Sequence, residues 1–252
     1  MPKIISVHSY RGGTGKSNTA ANLSAQLALM GYRVGVVDTD IQSPGIHVLF
    51  NLCEDEIKCT LNDYLWGKCP IAAAAYDVTA RLGTAVGGKL FLVPSSIKAT
   101  DIARILREGY DVGLLSDGFE QLVLALKLDV LIIDTHPGLN EETLLAIVIS
   151  TTVVLILRPD QQDYQGTAVT IDVARKLGVE QLLLVLNKVP QTIDTRDIIA
   201  RVGQAYQCEV GAIFPHSDEM MTLASTGIFS LRYPTNELSV SFQRLAKRIL
   251  ET

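Results

Sequence analysis

The stretch Lys3-Ile4-Ile5-Ser6-Val7-His8-Ser9-Tyr10-Arg11-Gly12-Gly13-Thr14-Gly15-Lys16-Ser17 runs from an apolar, β-branched segment straight into a glycine-rich loop that ends in a lysine and a hydroxyl. Ile4 to Val7 has the chemistry of a strand, and Lys16 to Met30 that of a helix stopped by Gly31. A strand, a glycine turn and a helix in that order set backbone N–H groups and a helix N-terminus around one point, which is how a chain holds phosphate oxygens. In such a loop Gly12, Gly13, Thr14 and Gly15 supply backbone donors and Asn18 opens the helix beside them. Lys16 reaches the β- and γ-phosphates, and the Ser17 hydroxyl ligates Mg²⁺.

Outward from this loop, short apolar runs alternate with longer helix-patterned segments. The runs are Arg33 to Val37, Leu90 to Val93, Val130 to Ile133, Val153 to Leu157, Leu182 to Leu186 and Val210 to Ile213. That alternation predicts an α/β fold, a doubly wound and mostly parallel sheet with helices on both faces. Besides the first helix, Gly166 to Leu177 and Asn236 to Leu250 read as helices. The last places Leu238, Phe242, Leu245 and Ile249 on one face. Ile41 to Lys89 is the least patterned region.

In open α/β sheets ligands bind beyond the carboxyl ends of the strands, so the residues that end each run are the candidates for chemistry. Asp38 and Asp40 end one run, two acids on a single loop. Phosphoryl transfer to water needs one group for Mg²⁺ and its waters and another for the attacking water. Asp134 ends Val130 to Ile133 as the acid of a Walker B strand, holding Mg²⁺ through water. His136, in the following Thr135-His136-Pro137-Gly138, reads as a polar loop residue. Asn187-Lys188 is similar to the base-reading N-K-x-D of GTPases, but position 190 is proline, so adenine is favoured with Asn187 as a base contact.

The 252 residues are 48% hydrophobic with a positive mean hydropathy, enough to bury one large core, and residues 1–252 read as one domain. The amino-terminal apolar run is too short for a signal peptide, and no stretch reaches the ~18 apolar residues of a membrane span, which predicts a soluble, cytoplasmic protein. Cys53, Cys59, Cys69 and Cys208 lack zinc spacing and read as free thiols. A net charge of −5 argues against a constitutively basic nucleic-acid binder, while leaving room for a local patch formed by dimerisation.

The paired glycines directly after a cation, Arg11-Gly12-Gly13-Thr14-Gly15-Lys16-Ser17, resemble the deviant Walker A loop of the ParA/MinD family of dimerising ATPases. The segments 60–65, 90–95 and 213–218 resemble the corresponding family segments, so the resemblance covers nearly the whole chain. It implies ATP and Mg²⁺ as cofactors, Asp38 in the magnesium shell, Asp40 on the attacking water, and Pro215 in the segment over the base. In the family a lysine stands where Arg11 stands and crosses a dimer interface to the partner's phosphates. Arginine keeps the charge but changes its shape.

The resemblance further implies a homodimer with ATP sandwiched, a protein adaptor that stimulates hydrolysis, and nonspecific binding to nucleoid DNA through Arg201, Arg232, Arg244, Lys247 and Arg248. The chain ends directly after its core-like last helix, which predicts no MinD-type membrane anchor. It also shows no extra amino-terminal DNA-binding region, so the small ParA type is expected, including the carboxysome-positioning branch. The competing classes are a MinD-like membrane-associated ATPase, a P-loop metabolic enzyme, an iron-sulfur reductase and a bacterial tyrosine kinase. No cysteine lies near the nucleotide loops for the third, and no terminal tyrosine cluster is present for the fourth.

Overall fold

Every apolar run read from the sequence forms a strand: β1 (Lys3–His8), β2 (Arg33–Asp38), β4 (Lys89–Val93), β5 (Val130–Asp134), β6 (Thr152–Leu157), β7 (Gln181–Val189) and β8 (Glu209–Pro215). The computed structural model describes residues 2–251; Met1 and Thr252, the two ends of the expected domain, lie outside the described residues. A further short strand, β3 (Tyr76–Asp77), pairs antiparallel with β4, and all other pairings are parallel. The eight-stranded order is β3-β4-β2-β5-β1-β6-β7-β8. β1 therefore sits at the switch point, with the chain winding outward from it in both directions.

The strands read as continuous apolar runs because both faces are covered. In β6 all of Thr152 to Leu157 is buried. On one face, Ile5, Val7, Val36, Ile132 and Val185 pack under α1 (Lys16–Leu29), α2 (Ile46–Leu49), α10 (Phe229–Arg232) and α11 (Glu237–Glu251). On the other, Leu131 and Ile133 meet α3 (Leu61–Leu65) and α5 (Gly113–Leu126), and Leu155 and Leu186 meet α7 (Gln161–Lys176) and α8 (Thr195–Tyr206). α6 (Glu141–Ile149) lies between these last two groups, and α4 (Ala99–Glu108) and α9 (Asp218–Leu223) complete the set.

Leu238, Phe242, Leu245 and Ile249 of α11 are all buried, as the sequence predicts, with the Phe242 ring centroid 4.4 Å from that of Phe214 of β8 and the rings tilted by 52°. α7 starts at Gln161 rather than Gly166, because the Asp160 side chain accepts from the Asp163 N–H and caps an extra polar turn. The four cysteines are free. No helix among the described residues is long and apolar enough to cross a membrane.

Candidate functional site

The loop after β1 has to bend sharply, and Gly13 (φ 74°) and Gly15 (φ 101°) adopt the left-handed conformations that let it. A Cβ on Gly15 would also lie 2.4 Å from the Asn187 amide, so glycine is required there twice over. From the end of β7, Asn187 Nδ2 donates to the Thr14 carbonyl (2.7 Å) and Lys188 Nζ to the Gly13 carbonyl (2.9 Å). Both carbonyls are thus tied back to the end of β7. Lys16 is 7% exposed and the Thr14 hydroxyl is buried with no partner. Burial lowers the Lys16 pKa, opposed by Asp134, Asp40 and Asp38.

Those acids are brought together by strand register: β2 and β5 are neighbours, and Asp38 stands opposite Asp134. Both are 1% exposed. Asp38 accepts backbone N–H groups from Asp40 (3.1 Å) and Gly45 (3.2 Å). Neither oxygen of Asp134 makes a hydrogen bond of normal geometry. Burial, then the neighbouring acid, raises the Asp38 pKa well above its usual value. Burial pushes Asp134 to about 7 against the influence of Ser17 and Lys16. A buried carboxylate without a donor, beside a second acid and the Ser17 hydroxyl, is a hard-oxygen set suited to a small divalent cation. Asp134, Ser17 and Asp38 are the residues that would hold Mg²⁺.

Burial raises the Asp40 pKa, while His136 and Lys16 lower it. Asp40 lines a cleft of about 740 Å³ together with Gly12, Gly13, Gly15, Lys16, Ser17, Asn18, Asn187 and Pro215, all proposed from the sequence. Met220, Met221, Leu238 and Phe242 form its apolar end, suited to a base. Sequence reasoning missed Lys188, Met220 and Met221 as cleft residues, and passed over His136, whose Nε2 lies 3.9 Å from Asp40 Oδ1.

Residues 2–194 match a family model described as an AAA domain. The septum site-determining protein MinD of Bacillus subtilis is 25% identical over 99% of this chain and 90% of its own. The chain belongs to the ParA/MinD family of P-loop ATPases. An uncharacterized ATP-binding protein of Methanocaldococcus jannaschii is 23% identical over 99% of this chain and 88% of its own. Among solved structures, the fold matches Pyrococcus horikoshii MinD, complexed with Mg-ADP, at a TM-score of 0.81 and 24% identity, over 99% of this chain and 96% of that one.

Of the residues predicted for this ParA/MinD site, Thr14, Asp38 and Asp134 are buried and do not line the cleft, and Arg11 stands apart from them. Arg11 does not line the cleft; its guanidinium lies 3.3 Å from Asp163 and 3.6 Å from Asp160. Arg158 binds the same carboxylates, and Asp163 is 2% exposed between the two arginines. Burial would raise the Asp163 pKa, but its bonds from Arg158 and the charge of Arg11 outweigh burial and lower it. Arg11 is therefore held by carboxylates of its own chain.

Proposed function

We propose that this chain is an ATP-hydrolysing, dimerising ParA-type ATPase that positions or partitions an intracellular cargo, such as a carboxysome, plasmid or chromosome, along nonspecific nucleoid DNA. A protein adaptor would stimulate hydrolysis. The observation that carries the reading is the pairing of a complete phosphate cradle with an open rim: Lys16 is buried, whereas Gly12 and Gly13 are exposed and Arg11 is partly so. A second subunit seated on that rim would close the nucleotide between two loops.

Within the cleft the backbone N–H groups of Gly12 to Gly15 and the start of α1 would bind the phosphates, with Lys16 neutralising their charge. Mg²⁺, when bound, polarises the phosphates. Asp40 would orient the attacking water, and the Met220, Met221 and Phe242 wall would hold adenine. In this reading Asn187 braces the loop beneath the base, and Arg11 would move from Asp163 toward the partner's phosphates.

A second reading, a MinD-like ATPase acting at a membrane, is favoured by the MinD relatives that match nearly the whole chain. One co-sedimentation assay separates the two. With ATP and Mg²⁺, the purified protein is expected to be retained by nonspecific duplex DNA and to ignore anionic liposomes. The reverse pattern transfers the conclusion to the MinD-like reading, and turnover that depends on a small-molecule substrate transfers it to a P-loop metabolic enzyme.

A further inference from the structure

β8 ends the sheet, paired with β7 on one side and with no strand on the other among the described residues. The opposite edge, β3, is only two residues long, which blunts it. β8 has seven residues, and Val210 to Pro215 contains no charge. In a parallel pair each strand spends alternate residues on its neighbour, so the remaining residues of β8 direct N–H and C=O groups outward. A register shift also leaves Gly211 as an extra residue without a β7 partner.

A groove of about 670 Å³ runs along this edge. Val210, Ala212 and Ile213 of β8 line it together with Thr195 and Ile199 of α8 and Ser241 of α11. Ile199 is an exposed apolar side chain, 42% accessible. The two helices cover opposite faces of the sheet, and both reach the groove. Walls on both sides favour a single extended chain over a second sheet edge that carries helices of its own.

The rim is polarised in charge. α11 runs antiparallel to β8: Arg248 pairs with Glu209, Leu245 lies against Gly211, and Phe242 lies against Phe214. Arg244 and Lys247 therefore stand beside the start of β8. Glu237, roughly 16 Å back along the helix axis from Arg248, stands near its end with Glu219. All four of these unpaired charges are exposed, and none is in an ion pair among the described residues.

We infer that β8 accepts an extended segment of a partner protein as an added antiparallel strand. The segment would set basic residues of its amino-terminal end over Glu219 and Glu237, apolar residues in the groove, and acidic residues of its carboxyl-terminal end over Arg244 and Lys247. Main-chain bonds to the free edge supply affinity, and the alternate side chains and rim charges supply specificity. The antiparallel sense follows from the slightly greater stability of that ladder, and it fixes the order of charges along the segment.

The probes are two end-blocked, fluorescein-labelled peptides of one composition. The first reads two lysines, two valine–threonine pairs and two glutamates from its amino terminus, and the second reads the reverse. Binding to the full chain is measured by fluorescence anisotropy at low salt. The first peptide is expected to bind saturably and on the order of 10-fold tighter than the second, as several exposed ion pairs together allow. Methylating its backbone nitrogens one at a time should abolish binding at every second central position and spare those between, the period of a paired strand. Ile199→Asp should weaken the first peptide, and Glu219→Lys with Glu237→Lys should transfer the preference to a peptide with glutamates at both ends. These residues do not line the nucleotide cleft, so ATP affinity should stay within about twofold. Binding that ignores the position of the methyl group overturns strand addition. Preference for the reverse order overturns the antiparallel alignment. Absence of peptide binding overturns the site, whether the nucleotide-free chain then self-associates through Ile199 in sedimentation equilibrium, which gives the groove to a second copy, or a DNA duplex alone is retained by Arg244 and Lys247.

Discussion

Single residues in this site do their work by being buried with too few partners. Lys16 sits under the loop, and the other cleft ammonium, Lys188, is bonded to the Gly13 carbonyl, which leaves Lys16 as the ammonium that this chain's own cleft offers to the β- and γ-phosphates. Lys16→Ala should cost more than about 100-fold in ATP affinity, as expected for a lost charge-assisted contact in a desolvated site. Unchanged affinity in calorimetry would sink the phosphate-loop assignment. His8, fully buried at the end of β1 with Nδ1 2.7 Å from the Thr135 hydroxyl, gives a second handle. Burial, with the charges of Lys16 and His136, holds its pKa at about 3 against an ordinary 6.5. The unfolded chain then binds more protons than the fold between those values. Stability due to a neutral His8 is complete above pH 6.5 and is lost as pH falls toward 3, by about 1.4 kcal/mol per pH unit. Between pH 6.5 and 5, nucleotide-free wild type should therefore lose roughly 2 kcal/mol more than His8→Gln. Parallel denaturation curves for the two across that window would refute it.

At the scale of elements, what was legible is what ends a long apolar run. β6 is readable because burial on both faces leaves an unbroken apolar run from Val153 to Leu157. Asp38 and Asp134 are readable because each is the first acid after such a run. The first turn of α7, Gln161 to Tyr164, is polar, and only the spacing of Asp160 to Asp163 marked its start. The region 41–89 was opaque because side chain to backbone bonds hold it. The Tyr76 hydroxyl, for one, accepts from the Lys58 and Cys59 N–H groups and donates to the Cys59 carbonyl. Lys188 was passed over because its aim depends on a backbone at φ 56°, and His136 because its aim depends on the Pro137 carbonyl. The end of β7 also changes the meaning of Asn187. Its Nδ2 donates to the Thr14 carbonyl and its Oδ1 accepts the Lys188 N–H, which supports the proposal that it holds the phosphate loop. Asn187→Ala should weaken ATP and GTP by the same factor, about 5- to 30-fold for one or two kcal/mol of lost bracing. A loss confined to ATP would return Asn187 to the role of a base contact.

The whole molecule carries a net charge of −5, so binding to a polyanion needs a concentrated patch and a second copy of it. The expected cations are not equivalent in the fold. Arg248 is paired with Glu209, and Arg201 lies 3.6 Å from Asp197, whereas Arg244 and Lys247 are exposed on the solvent side of α11. The opposite side of that helix is locked into the core by Leu238, Phe242, Leu245 and Ile249, so changes at 244 and 247 leave the packing alone. DNA retention by wild type should require ATP and rise with dimerisation, and it should weaken with salt as counterions compete for the phosphates. Replacing Arg244, Lys247 and Arg248 together by Glu should abolish retention without lowering ATP affinity. Arg244→Glu with Lys247→Glu should account for most of that loss. Restoring Arg248 in the triple variant should return mainly stability, on the order of 0.2–1 kcal/mol for one exposed ion pair. Undiminished DNA binding by the triple variant would place the patch elsewhere. A wild type that pellets with anionic liposomes and passes over DNA would mean that α11 belongs to a membrane-directed machine.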